Sequence, residues 1–120
     1  MAEPNPEELV LLGIKSYEKQ DFSKARKYFE RACGLNNGGG CNGLGVLYKD
    51  GQGVEKNLTK AAYFYSKACE LNNGDGCGAL GGLYYNGDGV KQDSKKAAAL
   101  FEKTCKLGNQ LACEMLKLLR

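Results

Sequence analysis

Cys69-Glu70-Leu71-Asn72-Asn73-Gly74-Asp75-Gly76-Cys77 is the stretch that decides the fold. It reads as one helix ending and another beginning, with a cysteine on each side of the junction. The same pair stands 36 residues upstream as Cys33 and Cys41, and 36 residues downstream as Cys105 and Cys113. Three identically spaced pairs at one fixed period mark a repeat array. Working outward, other positions fall into the same register. Ala25, Ala61 and Ala97 align, as do Phe29, Tyr65 and Phe101, then Leu35, Leu71 and Leu107, then Leu44, Leu80 and Leu116.

The apolar spacing predicts helices over 7–20, 23–35, 41–50, 58–71, 75–86, 94–107 and 110–119. In the second of these Phe22, Ala25, Phe29, Ala32 and Cys33 follow the i, i+3, i+4, i+7 spacing of one helical face. Pro6 suits a first helical turn, and Asp93 or Ser94 can cap the sixth helix. Asn36-Asn37-Gly38-Gly39-Gly40 reads as the end of the second helix. Gly51, Gly53, Gly87 and Gly89 mark two loops that need positive φ. Gly45 and Gly81 are expected to let the first helix of a unit lie against Ala61 and Ala97 of its second helix, with the aromatic filling the gap between units. The predicted organisation is one array over 1–120: a first unit at 7–36, a second at 41–72, a third at 77–108, and a closing helix at 110–120.

Composition narrows the function class. The chain has 120 residues, 42% hydrophobic and 26% charged, with net charge +3 and acids and bases interleaved. No basic stripe points to nucleic acid. No apolar run approaches the roughly 18 residues of a membrane span. The six cysteines, with no histidine in the chain, do not match zinc-ligand spacing, and no cofactor is expected. An even count at helix junctions reads as three structural disulfides, Cys33–Cys41, Cys69–Cys77 and Cys105–Cys113. An oxidising compartment follows. Met1-Ala2-Glu3-Pro4-Asn5-Pro6 lacks the basic start and apolar core of a secretory signal, so a mature secreted or periplasmic form is expected.

Leu44-Gly45, Tyr48, the glycine loop, Ala61-x-x-x-Tyr65 and Ala68 resemble the Sel-one-like repeat, a relative of the tetratricopeptide repeat. With the C-x7-C pairs, the chain resembles the Helicobacter cysteine-rich proteins of that family. The resemblance implies an all-α, right-handed superhelical solenoid of helix hairpins stapled by disulfides. The first unit departs from the pattern. Gly13 to Ala25 spans 12 residues, whereas Gly45 to Ala61 and Gly81 to Ala97 span 16. It therefore lacks four loop residues, and Leu9 stands where the other units have cysteine.

In such folds the first helices line the concave face. Carried onto this chain, the ligand-binding positions are Tyr17, Asn42, Val46, Lys49, Gly78, Gly82 and Tyr85, together with Val10 and Ile14. The implied function is a monomeric, secreted scaffold binding a peptide or protein segment there. A hollow is expected at Gly78 and Gly82 beside Tyr85. The resemblance also implies an alternative, binding of a β-lactam or peptidoglycan-like ligand with weak β-lactamase activity. Ser16-Tyr17-Glu18-Lys19 matches the S-x-x-K of serine β-lactamases, but the companion S-D-N and K-T-G elements are absent. No catalytic residue is assigned. A shortened or engineered array without a native ligand is the third reading. Asn57-Leu58-Thr59 is a glycosylation sequon, and the Gly51-x-Gly53 and Gly87-x-Gly89 loops lack the remaining elements of a phosphate-binding motif.

Overall fold

A computed structural model describes residues 4–119, so Met1–Glu3 of the N-terminal reading lie outside the described residues. Seven helices follow in order: α1 Pro6–Glu18, α2 Phe22–Gly34, α3 Gly38–Asp50, α4 Leu58–Glu70, α5 Gly74–Asn86, α6 Ser94–Lys106 and α7 Gln110–Leu119. No strand occurs among the described residues. Each helix packs on its neighbour in the chain, and α1 also touches α3, as α3 touches α5. The result is an elongated stack, 51 × 28 × 22 Å. Its odd-numbered helices lie side by side, as expected for the concave layer of a solenoid.

Asparagine explains why the junctions are so short. Asn36 and Asn72 both have φ of 62°, a left-handed conformation that asparagine tolerates and that ends a helix. The following asparagine starts the next helix. The Asn37 side chain accepts from the Gly40 N–H at 3.1 Å, and Asn73 accepts from the Gly76 N–H at 2.8 Å. So Gly38, Gly39 and Gly40 do not terminate α2. They form the first turn of α3, three residues earlier than the spacing predicted. A cap satisfies one free N–H of that turn, and glycine is required for contact. A Cβ on Gly40 would lie 2.6 Å from the Ala32 Cβ.

The glycines of the odd helices serve the aromatics of the even ones. A Cβ at Gly13 would lie 2.5 Å from Phe29 Cε1, at Gly45 2.5 Å from Tyr65 Cδ1, and at Gly81 3.0 Å from Phe101 Cε1. The ring, rather than Ala61 or Ala97, is thus what each glycine receives. Ala25, Ala61 and Ala97 are fully buried beside it. Phe29 also lies against Gly43 of the following unit, where a Cβ would sit 2.7 Å from its ring. The ring is therefore packed both within its unit and between units. In α7 the position equivalent to Gly45 and Gly81 is Lys117, which leaves no recess for a further ring.

The loops behave as expected at Gly51, Gly53, Gly87 and Gly89, with φ of 67°, 71°, 73° and 71°. They also do more than turn. A Cβ on Gly53 would lie 2.8 Å from the Phe22 backbone, and one on Gly89 2.7 Å from the Leu58 Cβ. Each loop is pressed onto the start of the preceding unit's second helix. The first unit, which lacks the four loop residues, has no such latch.

Two glycine substitutions separate these roles. Gly45→Ala drives a methyl into the Tyr65 ring and should cost about 1–3 kcal/mol as overpacking. Gly82→Ala meets nothing within 4 Å and should stabilise by about 0.5–1 kcal/mol through helix propensity. Chemical denaturation of both variants checks this; equal effects would refute the ring-recess assignment.

Candidate functional site

The cysteines form Cys33–Cys41, Cys69–Cys77 and Cys105–Cys113, with Cα–Cα distances of 4.6, 4.5 and 4.7 Å. Each joins the last turn of an even helix to the first turn of the next odd one. The first two are buried and the third is half-buried. Each closes a loop of about nine residues, worth about 2.5 kcal/mol in the chain-entropy model. Among the described residues, no group of three or more His, Cys, Asp or Glu is placed to hold a metal.

The concave positions separate into two depressions. Tyr17 and Val46 line the first with Ile14, Phe29 and Gly43; its volume is about 200 Å³ and its walls are almost wholly apolar. Lys49 and Gly82 line the second, of about 430 Å³, with Asp50, Lys56, Leu58, Ala79, Leu83, Asn86 and Asp88. The two are equivalent in the repeat. Tyr17 corresponds to Lys49, Gly43 to Ala79 and Val46 to Gly82. One position of the fold thus presents an apolar surface at the first junction and a charged one at the second.

Asn42, Gly78 and Tyr85 line neither depression. Asn42 and Gly78 are half-buried, and the Thr104 methyl would lie 3.4 Å from a Cβ on Gly78. Tyr85 is 45% exposed, and its carbonyl accepts from Gln92 Nε2 at 3.3 Å. The hollow beside Gly82 therefore opens toward Lys49 rather than toward Tyr85. Sequence reasoning did not select Gly43, Phe29, Asp50, Asn86 or Asp88. The signal for Gly43 lay in the register: the same position is Gly43, Ala79 and Met115 in successive units.

Other singled-out motifs have structural duties. Ser16 is buried, and its Oγ donates to the Leu12 carbonyl at 2.9 Å, while Lys19 is exposed beyond the end of α1. The sequon residue Asn57 caps α4, accepting from the Lys60 N–H at 3.0 Å. On the other side of the molecule Lys103 Nζ donates to the Cys69 carbonyl at 2.7 Å, where a cation suits the last turn of α4. Lys60 and Lys96 lie over the Tyr48 and Tyr84 rings at 5.3 and 5.2 Å.

The Sel1 repeat model matches residues 10–37, 39–73 and 74–109, nearly the whole chain. The chain belongs to the Sel1 repeat family. Within this family it is similar to Helicobacter pylori HcpC, 64% identical over 58 residues, which are 48% of this chain and 20% of HcpC. It is 55% identical to beta-lactamase HcpA of Helicobacter pylori over 58 residues, 48% of this chain and 23% of HcpA. The chain spans about a fifth of the length of these two curated relatives. Among solved structures, Helicobacter pylori cysteine rich protein B superposes with a TM-score of 0.76 at 38% identity, covering 92% of this chain and 94% of that one. A Sel1 repeat protein from Oxalobacter formigenes gives 0.87 at 27% identity, covering 92% and 45%. The Sel1 assignment agrees with the solenoid of helix hairpins, and three disulfides staple its junctions.

One titratable group inside this Sel1 stack is strongly shifted. Burial, with Asp50 and Tyr17 adding to it, pushes the Tyr65 phenol up from 10.0 to about 12. The folded state therefore holds the neutral form. Its contribution is fully present below the unfolded pKa of about 10 and is lost as pH rises through about 12. Stability measured between pH 9 and 12 should fall in the parent protein, and Tyr65→Phe should flatten that decline.

Proposed function

We propose that this chain is a secreted, disulfide-stapled scaffold that binds a peptide or protein segment across α1, α3 and α5. One observation carries the reading: the two depressions are equivalent positions of successive units, aligned along the same helix layer. A row of equivalent residues, Ile14, Val46, Gly82 and Leu118, crosses this layer from end to end. Ile14 is 41% exposed and Leu118 82%, so these two members of the row offer apolar surface, while Val46 between them is partly packed on the core. Tyr17, Lys49 and Tyr85 form a second row beside it, with hydrogen-bonding and charged tips. Stacked repeats use such extended surfaces to hold a chain segment. The three disulfides support an oxidising, extracytoplasmic location. No described helix is long and apolar enough to cross a membrane.

The test is to select binders from a peptide library and titrate them against variants. Gly82→Arg should weaken binding about tenfold or more, a change of about 1.4 kcal/mol, without unfolding the helix. Lys27→Ala, on the exposed side of α2, should change it less than about twofold, well under the 1.4 kcal/mol of a decade. The reverse order would place the working face on the even helices.

A second reading comes from the relative HcpA, a beta-lactamase. The one serine suggested for such chemistry, Ser16, has its hydroxyl committed to the Leu12 carbonyl, and an activated nucleophile needs a base within reach. The expected outcome with a chromogenic cephalosporin is turnover at the buffer background, equal for the parent protein and Ser16→Ala. Turnover abolished by Ser16→Ala would establish the second reading.

A further inference from the structure

We infer that the slot at Gly43 is a side-chain pocket that takes one branched aliphatic side chain of the bound segment and sets the direction in which that segment lies. The inference rests on the concave-face reading above and adds the chemistry of its ligand.

Gly43 is what lets the Phe29 ring lie in the wall of the slot, since a Cβ there would sit 2.7 Å from the ring. At the three junctions of the stack the same position is Gly43, Ala79 and Met115. Where glycine stands, the Phe29 ring reaches the surface of the depression and forms part of its wall, although Phe29 as a whole is only 4% exposed. Where alanine stands, the equivalent ring, Tyr65, is 1% exposed and takes no part in lining the groove. Where methionine stands, its own side chain packs against Phe101 and its cluster. Between the first two junctions, the change from glycine to alanine separates a ring-lined slot from a depression with no ring in its wall.

The chemistry of the occupant follows from the walls. Ile14, Tyr17, Phe29, Gly43 and Val46 offer carbon almost throughout. A charged group placed there would lose water and gain no partner. The volume of about 200 Å³ is several times the ~30 Å³ share of one water, enough for a valine, leucine or isoleucine side chain. One unit further the equivalent depression carries Lys49, Asp50, Asn86 and Asp88. Packed helices lie roughly 8–10 Å apart, and an extended chain advances about 3.3 Å per residue. The second depression is therefore met about three residues after the first. A segment with an aliphatic side chain at one position and a polar or charged one three residues away fits in one direction. Reversed, it would set the aliphatic group among charges and the polar group against Phe29.

The experiment has two arms. In the first, N-acetyl-leucinamide and N-acetyl-glycinamide are titrated into the isotope-labelled full chain and followed by methyl and aromatic NMR. Leucinamide should shift Ile14, Val46 and Phe29 signals saturably and glycinamide should not; Val46→Phe, which fills the mouth, should abolish the shifts. Ile14→Gln, on an exposed position, serves as a second variant should Val46→Phe disturb the fold, and should weaken the effect severalfold. Shifts that are absent, lie elsewhere, or are equal for both probes overturn the pocket. In the second arm, an array of extended peptides is read with the parent and Val46→Phe proteins. Binders should share Val, Leu or Ile at one position with a polar residue three away, and lose that preference with Val46→Phe. Peptides that bind this face without the preference overturn the pocket and leave the scaffold reading standing. Leucinamide in the slot with no peptide bound anywhere supports the pocket and counts against the scaffold reading.

Discussion

The contact on which this structure depends is an aromatic ring laid on a glycine backbone. Phe29 on Gly13, Tyr65 on Gly45 and Phe101 on Gly81 bring the two helices of each hairpin close enough to exclude water from the alanines beside them. A ring in a recess of that shape offers dispersion contact over its whole face, and a single methyl on the glycine removes the recess. The helices need little else to choose their partners. Most of the remaining core consists of Ala, Cys and Leu, small or flexible enough to follow wherever the ring sets the spacing.

The disulfides and the loops act on the next level, between hairpins. At the first two junctions the asparagine pair keeps the connection to three residues, so the cysteines on either side come within bonding distance. The glycine loops then press each unit onto the one before it, at Phe22 and at Leu58. A solenoid of so few units has limited core, and its stability is a sum of units and interfaces. Staples and latches at the interfaces raise the weaker of those two contributions. The first unit, with Leu9 in place of cysteine and without the longer loop, and α7, with Lys117 in place of glycine, depart from the pattern that the two middle units share.

Regularity of the backbone combined with variation at a few equivalent positions gives the concave face its character. The same geometric position is a ring-lined apolar slot at one junction and a charged depression at the next. Extended partners are recognised by such a sequence of environments more readily than by any single deep cavity, because each repeat contributes one local preference and the register between repeats is fixed by the stack. The buried Ser16 hydroxyl and the capping role of Asn57 show the converse: residues matching short motifs are occupied in holding helices.

The sequence by itself determined the helices, the period, the disulfide pairs and the positive-φ loop glycines, since each depends on residues close along the chain or on strict repetition. The family resemblance, rather than periodicity, carried Tyr17, Val46, Lys49 and Gly82 onto the layer of odd-numbered helices. Tertiary structure alone decided what each small residue faces. Glycine carries no side chain to announce its neighbour, so nothing local distinguishes Gly43, which receives the Phe29 ring of the preceding unit, from Gly45, which receives Tyr65 of its own unit, or from Gly82, which faces open space. Nor could the sequence place the triple glycine at 38–40 inside a helix, because its low propensity is offset by the Asn37 cap and by contact with Ala32, a residue of the preceding helix. Whether Tyr85 joins Gly82 in a depression or stands apart from it was likewise settled by how α5 packs on its neighbours α3 and α4.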